Sequence, residues 1–168
     1  MSGLSKTVLI CDDDQGMRDT IAAILQREYR VLSVPSGESA LSVLKQEEVD
    51  VLLLDVRLPG INGLDVLRIV RENYGFVECI VISAISEVET AVQAMKYGAY
   101  HYVTKTFDYD ELRSLVRNAC ERQELNRQVA MLSAQVAEGE REFLIGPSRQ
   151  IRDIVDLVTH MRDHGLLT

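Results

Sequence analysis

Acidic residues follow two apolar stretches of the chain. "ICDDD" supplies Asp12 and Asp13, and "LLLDVRLPG" supplies Asp55. A carboxylate at the end of a covered strand is costly unless a cation or a hydrogen-bond donor meets it, and neighbouring carboxylates raise one another's pKa. A hard divalent cation removes both problems, and Mg²⁺ prefers oxygen ligands. The three aspartates therefore predict a Mg²⁺ site.

Two further side chains would complete a site for phosphate chemistry. Lys105 in "YVTKTF" offers a compact positive charge to a phosphoryl oxygen, and Ser83 in "VISA" offers a hydroxyl donor. Asp55 could then attack phosphorus and form an aspartyl phosphate, which is a known role of carboxylate nucleophiles. Catalysis would consist mainly of positioning and charge neutralisation.

Short segments rich in Val, Ile and Leu alternate with segments of helical periodicity. The predicted strands cover residues 7–11, 30–34, 49–56, 78–84 and 101–105, and the predicted helices cover residues 15–29, 37–46, 63–72 and 87–97. This alternation predicts an α/β fold with a parallel sheet and helices on both faces. Ligands of such sheets bind beyond the carboxyl ends of the strands, where all the residues named above are expected to lie.

Taken in order, these stretches resemble the receiver domain of bacterial two-component response regulators. The resemblance covers residues 6–123 and includes an "NG" pair between the acidic stretch and the serine. It implies a flavodoxin-like, doubly wound sheet of five parallel strands in the order 2-1-3-4-5. It also implies that the protein is a signalling module rather than an enzyme in the usual sense.

The resemblance assigns a role to each matching position. Asp55 is implied as the phospho-acceptor, with Asp12, Asp13, Asp55 and the backbone carbonyl of Arg57 as the metal ligands. Ser83 and Lys105 are implied to bind the phosphoryl group, and Ser83 and Tyr102 to act as the switch residues.

Two positions, Thr106 and Arg57, depart from the family pattern. The lysine is usually followed by proline through a cis bond, whereas Thr106 follows Lys105 here. A cis bond without proline costs about 3–4 kcal/mol, so we expect either a trans bond with a rearranged loop or a strained cis bond. The long side chain of Arg57 could also reach over the site.

An extended C-terminal helix is predicted from residue 110 to residue 138, because no Gly or Pro occurs there before Gly139. We expect residues 1–123 to form the receiver and residues 124–142 a helical linker with a possible coiled coil. Four apolar residues with 4, 3, 4 spacing predict a dimer seam: Leu125, Val129, Leu132 and Val136. The alternative is a solvated linker helix with one apolar face.

Residues 143–168 are expected to begin a further unit, with a helix over residues 149–161. They resemble, more weakly, the start of the AAA+ domain in activators that work with the alternative sigma factor of RNA polymerase. No G-x-x-x-x-G-K-[ST] stretch occurs, so no nucleotide site is predicted. We expect the chain to be a truncated piece of a longer protein.

Composition excludes several other classes of function. The net charge is −8, and no basic stripe is present, which argues against direct binding to nucleic acid. No apolar run approaches the roughly 20 residues that span a bilayer, so a cytoplasmic location without membrane contact is expected. Three widely spaced cysteines in apolar segments are expected to be buried rather than reactive: Cys11, Cys79 and Cys120.

The favoured function is a phosphorylation switch. A sensor histidine kinase would phosphorylate Asp55, and the change would alter assembly and output, with transcription activation as the expected output. A homodimer could form through the C-terminal helix or through the face of the fourth helix, fifth strand and fifth helix. One alternative is an inert or weakly phosphorylated scaffold. A Mg²⁺-dependent phosphohydrolase of the haloacid-dehalogenase type is disfavoured, because Arg57 stands where that type needs an aspartate.

Overall fold

The computed structural model describes residues 5–84 and 88–142. Within these residues five strands and five helices alternate along the chain. The strands are β1 (Thr7–Cys11), β2 (Arg30–Val34), β3 (Val51–Asp55), β4 (Glu78–Ser83) and β5 (His101–Thr104). The helices are α1 (Gln15–Leu25), α2 (Gly37–Gln46), α3 (Gly63–Asn73), α4 (Val88–Lys96) and α5 (Tyr109–Glu142).

The strands form one parallel sheet in the order β2-β1-β3-β4-β5, which confirms the predicted fold class and strand order. The three central strands are fully buried, as expected for strands that are covered on both faces. The two edge strands are more exposed. Because all strands run in the same direction, Cys11, Asp55, Ser83 and Thr104 end their strands at the same edge of the sheet.

Alternate residues of β3 belong to two cores on opposite faces of the sheet. Leu52 and Leu54 belong to a core that includes buried residues of α2, α3 and α4. Val51 and Leu53 belong to a second core, to which α1 and α5 contribute. The near-continuous apolar run of β3 is therefore explained by burial on both faces.

The observed ends of several elements differ from the predicted ones. The predicted first helix reached residue 29, but α1 ends at Leu25, and Tyr29 packs against the core from the following turn. The predicted third strand began at residue 49, but β3 begins at Val51. Gly98 has a φ of 97° just beyond α4, where a glycine was expected to stop the helix. Gly139 was expected to end the last helix, yet α5 continues through it to Glu142.

The chain divides into two compact units, Met1–Gln123 and Glu124–Thr168. The predicted unit over residues 143–168, with its loop and helix, lies outside the described residues. Within the described ranges, no helix combines the length and the apolar character that crossing a membrane would require.

Candidate functional site

Three carboxylates from two strand ends meet at the carboxyl edge of the sheet. Asp12 and Asp13 follow β1, and Asp55 ends β3. One oxygen of each carboxylate lies within 4.8 Å of the others. Asp12 is 3% exposed and Asp55 is 5% exposed, whereas Asp13 is exposed. Three carboxylate oxygens at this spacing suit a hard divalent cation such as Mg²⁺.

Lys105 lies directly after β5 and joins two of these acids. Its Nζ is 2.9 Å from Asp12 Oδ2 and donates a hydrogen bond to Asp55 Oδ2 at 3.1 Å. The backbone N–H of Lys105 donates to the carbonyl of Ser83 at 2.9 Å, which fixes the lysine beside the end of β4. One cation therefore partly neutralises two buried carboxylates that would otherwise repel each other.

Opposing effects act on the pKa values of Asp55 and Lys105. Burial raises the pKa of Asp55, and the charge of Asp12 raises it further, while Lys105 and the N–H of Arg57 act in the opposite direction. Partial burial acts to lower the pKa of Lys105, but hydrogen bonds to Asp12 and Asp55 outweigh it and the net pKa is raised. The lysine therefore stays charged, as the bridge requires.

The loop after β1 is held by contacts that were not predicted from the sequence. The backbone N–H of Asp14 donates to Asp12 Oδ1 at 2.9 Å, and Arg18 Nη1 donates to the carbonyl of Asp12 at 2.7 Å. The Asp14 side chain caps α1 by accepting from the N–H groups of Gly16 and Met17. An aspartate just before a helical pattern is the signal that could have revealed this cap. The sequence carries no comparable signal for Arg18.

The loop after β3 is packed closely against Asp55. The N–H of Arg57 donates to Asp55 Oδ1 at 3.2 Å, and the N–H of Gly63 donates to the carbonyl of Val56 at 2.8 Å. Asn62 caps α3 by accepting from the N–H of Asp65 at 3.0 Å. A Cβ atom on Gly63 would collide with the carbonyl oxygen of Asp55. The "NG" pair thus begins α3 where the backbone of the predicted acceptor leaves no room for a side chain.

The remaining predicted site residues lie in varied surroundings. Ser83 is buried at the end of β4, and Tyr102 is half-buried on β5 against the first core. The described residues contain no cis peptide bond, so the Lys105–Thr106 bond is trans, and the Thr104 and Thr106 hydroxyls are 2.8 Å apart. Of the two expected geometries, the trans form is the one present, and Lys105 still reaches Asp55.

The predicted seam residues lie in the second unit. Leu125 is 60% exposed and Leu132 is 51% exposed, while Val129 and Val136 are half-buried. The three cysteines are free and buried, as predicted, and burial raises the pKa of Cys11 and Cys79 to about 12. Thiol chemistry is therefore disfavoured at these positions.

Known proteins that are similar to this chain point to one family. Residues 8–117 match the family described as "Response regulator receiver domain". An NtrX-like response regulator of Rickettsia bellii is 37% identical over 144 residues, which are 84% of this chain and 30% of the relative. NtrC, a DNA-binding transcriptional regulator of Proteus hauseri, is 34% identical over 113 residues, which are 67% of this chain and 24% of the relative.

A solved structure of similar fold is described as the BeF3-activated DrrB receiver domain. It is 28% identical to this chain with a TM-score of 0.66, and the match covers 70% of this chain and 99% of that chain. In contrast, the chain spans only about 30% of the length of the NtrX-like relatives. The similarity to those longer regulators is therefore confined to a minor part of each of them.

Proposed function

Since the chain belongs to the response regulator receiver domain family, we propose that Asp55 accepts a phosphoryl group from a sensor histidine kinase in a Mg²⁺-dependent reaction. The observation that carries this proposal is the position of Lys105, whose Nζ joins Asp55 and Asp12 beside an exposed third carboxylate. A buried carboxylate, a fixed cation and a set of metal-ligating oxygens are the parts that phosphoryl transfer to an aspartate needs.

The proposed reaction uses the groups of this rim in defined roles. An oxygen of Asp55 attacks phosphorus, the bond from phosphorus to the kinase's histidine nitrogen breaks, and its electron pair returns to the imidazole. Lys105 and the N–H of Arg57 orient the attacking carboxylate, because each donates to a different oxygen of Asp55. Mg²⁺, held by Asp12, Asp13, Asp55 and the backbone carbonyl of Arg57, would supply charge neutralisation for the phosphoryl oxygens.

We propose that Ser83 and Tyr102 convert phosphorylation into a change of surface. Ser83 follows the buried run of β4 and can donate a hydrogen bond to the phosphoryl group, while Tyr102 lies on the adjacent strand. Exposed apolar residues on α4 support a change of assembly at the face of α4, β5 and α5: Val88, Val92 and Met95. Exposed patches of this kind are typical of interaction sites.

A homodimer can alternatively form through the linker helix. Leu125 and Leu132 expose most of their surface and are seven residues apart, which places them on the same helix face. We propose that one of these two faces is the assembly surface that phosphorylation controls. An inert receiver that serves only to present the helix is the competing candidate, and the same exposed leucines favour it.

For the output of the switch we propose transcription activation in the cytoplasm, as part of a regulator similar to NtrX and NtrC. The support is the similarity to these relatives, of which the NtrC relative is named as DNA-binding. The net charge of −8 argues against DNA binding by these residues themselves. The expected AAA-like segment over residues 143–168 belongs to the same proposal.

The test is to incubate the chain with Mg²⁺ and acetyl phosphate and to measure its mass. A labile phosphoryl adduct is expected in the wild type and in Asp65→Asn, a matched change of an exposed aspartate on α3. The adduct should be absent from Asp55→Asn and from the wild type without Mg²⁺. Equal adduct in Asp55→Asn, or no adduct in the wild type, would overturn the proposal and favour the inert scaffold.

A further inference from the structure

Arg18 of α1 is joined to the backbone of the loop that carries two of the acids. Its Nη1 donates a short, charge-assisted hydrogen bond of 2.7 Å to the carbonyl oxygen of Asp12. The backbone N–H of Arg18 donates to the carbonyl of Asp14 at 3.0 Å, which places Arg18 one turn after the helix cap. Side chains of a helix lean towards its N-terminus, so the guanidinium points back to Asp12.

The charge of Arg18 is not used on a carboxylate. Within residues 5–84 and 88–142, Arg18 forms no ion pair, although the chain carries three acids at residues 12–14. Lys105 is the contrasting case, since its Nζ contacts Oδ2 of Asp12 and Oδ2 of Asp55 and therefore competes with a cation for these oxygens. Arg18 occupies no carboxylate oxygen, so its role differs from that of Lys105.

The carbonyl that Arg18 contacts belongs to the peptide group between Asp12 and Asp13. A peptide group is planar, so a restraint on its carbonyl also restrains the direction in which Asp13 leaves the preceding residue. Asp12 has further restraints, because its N–H donates to the Val34 carbonyl at 3.1 Å and its Oδ2 is 2.9 Å from Lys105 Nζ. Loss of the Arg18 contact would therefore act mainly on the peptide that leads to Asp13.

The side chain of Asp13 has no comparable restraint. It is exposed, and in the part of the chain that the structure describes its carboxylate takes part in no hydrogen bond or ion pair. One of its oxygens nevertheless lies within 4.8 Å of oxygens of Asp12 and Asp55. A free carboxylate samples several rotamers, and the loss of this freedom opposes binding of a cation. Orientation of the preceding peptide is thus the restraint that keeps Asp13 directed at the site.

We propose that Arg18 is a positioning residue for the divalent cation. Its hydrogen bond orients the peptide between Asp12 and Asp13, so that Asp13 directs an oxygen towards the Mg²⁺ position before the ion binds. This inference rests on the proposed Mg²⁺-dependent function and deepens it, because it adds a residue that contacts no carboxylate of the site.

Two effects of Arg18 on Mg²⁺ binding have opposite signs. A guanidinium repels the cation, so removal of the charge alone would tighten binding. Removal of a group that orients a metal ligand typically weakens binding by about 10–100-fold, and we expect the lower end because Arg18 orients one exposed ligand. A purely structural role would lower the unfolding free energy and leave the Mg²⁺ dissociation constant unchanged. The direction of the change therefore identifies the role.

The test measures the Mg²⁺ dissociation constant of the full chain by calorimetry. Arg18→Met removes the donor and keeps an apolar stem and a helix-forming residue. Arg18→Gln, which is neutral and shorter, is a second disrupting variant, and Arg18→Lys keeps a charged donor. Arg27→Met is the matched control, because it removes the same charge from an exposed position just beyond the other end of α1. Urea unfolding without Mg²⁺ reports the stability of each variant.

Both disrupting variants should weaken Mg²⁺ binding by about tenfold. Arg18→Lys should restore most of the affinity, and Arg27→Met should match the wild type. Formation of the acetyl phosphate adduct in the disrupting variants should need correspondingly more Mg²⁺ but reach the wild-type level at saturating Mg²⁺. In an Asp13→Ala background, which already binds Mg²⁺ more weakly, Arg18→Met should cause no further weakening, because the ligand that Arg18 orients is gone.

Two results would overturn the inference while the proposed function stands. One is unchanged or tighter Mg²⁺ binding in Arg18→Met and Arg18→Gln, when the wild type binds Mg²⁺ and forms the adduct. The other is equal weakening by Arg18→Met in the wild type and in Asp13→Ala, since Arg18 would then act through another group. A wild type that neither binds Mg²⁺ nor forms the adduct would refute the proposed function, and the inference falls with it.

Discussion

Replacement of Gly63 by alanine should destabilise the receiver unit by about 2–3 kcal/mol. The new Cβ would collide with the carbonyl oxygen of Asp55 and lie 2.6 Å from the Cα of Val56, far inside the roughly 3.5–4.0 Å of a normal carbon contact. Both neighbours are backbone atoms, so no side chain can move aside. Overpacking costs about 1–3 kcal/mol, and displacement of the Gly63 N–H from the Val56 carbonyl costs about 1 kcal/mol more. Better helix propensity returns less than about 1 kcal/mol.

The matched control is Gly75→Ala, since a Cβ at Gly75 would meet no atom within 4 Å. That variant should be neutral or slightly more stable, by up to about 1 kcal/mol, because alanine reduces the freedom of the unfolded chain. Urea unfolding followed by circular dichroism measures both variants. Because the collision involves Asp55, Gly63→Ala should also slow formation of the phosphoryl adduct. A Gly63→Ala protein as stable as Gly75→Ala would show that the backbone beside Asp55 is not packed as described.

Three further perturbations have defined outcomes. Lys105→Met should tighten Mg²⁺ binding in calorimetry by up to about tenfold, because the variant removes a positive charge that competes with Mg²⁺ for Asp12 and Asp55. Unchanged or weaker Mg²⁺ binding would contradict this reasoning. Burial raises the pKa of Glu78 above its ordinary 4.5. The folded state therefore binds the proton of Glu78 more tightly than the unfolded state does, and the unfolding free energy falls as pH rises from 4.5 to the raised pKa. Glu78→Gln should therefore gain stability relative to the wild type as pH rises above about 4.5 in urea unfolding, and parallel pH profiles would refute the assignment. Leu132→Ser should change the unfolding free energy by no more than about 0.5 kcal/mol but weaken dimer formation in sedimentation. The control Ala134→Ser, at a nearby exposed position, should change neither quantity. A dimer that is unaffected by Leu132→Ser would exclude the linker seam.

Much of the fold could be predicted because local patterns determine it. Two strands and one helix occupy the predicted ranges: β1, β2 and α2. Short apolar runs and helical spacing are properties of neighbouring residues, so a single sequence displays them. Helix ends were predicted less well, since tertiary contacts decide them. Tyr29, for example, fits the helical spacing of α1 but reaches the core from a turn.

The candidate site was predictable at the level of strand ends and less so at the level of side chains. Parallel strands bring their carboxyl ends to one edge, which placed Asp12, Asp55 and Lys105 together before any distance was known. The contact of Lys105 with both acids, and that of Arg18 with a backbone carbonyl, depend on long side chains whose rotamers sequence patterns do not specify. Glu78 shows the same limit, because its partner Arg122 is 44 positions away in the chain.

The charges at the carboxyl edge explain why one lysine must serve two acids. Three carboxylates and one ammonium leave the rim with a net charge of about −2 when all are ionised, which a divalent cation balances. Conversion of Asp55 to an aspartyl phosphate replaces a charge of −1 by about −2 and adds three acceptor oxygens. The additional negative charge appears at Asp55, so it favours Lys105 moving from Asp12 towards the phosphoryl group. Under the proposed function, the Ser83 hydroxyl at the end of β4 is expected to donate a hydrogen bond to the same oxygens.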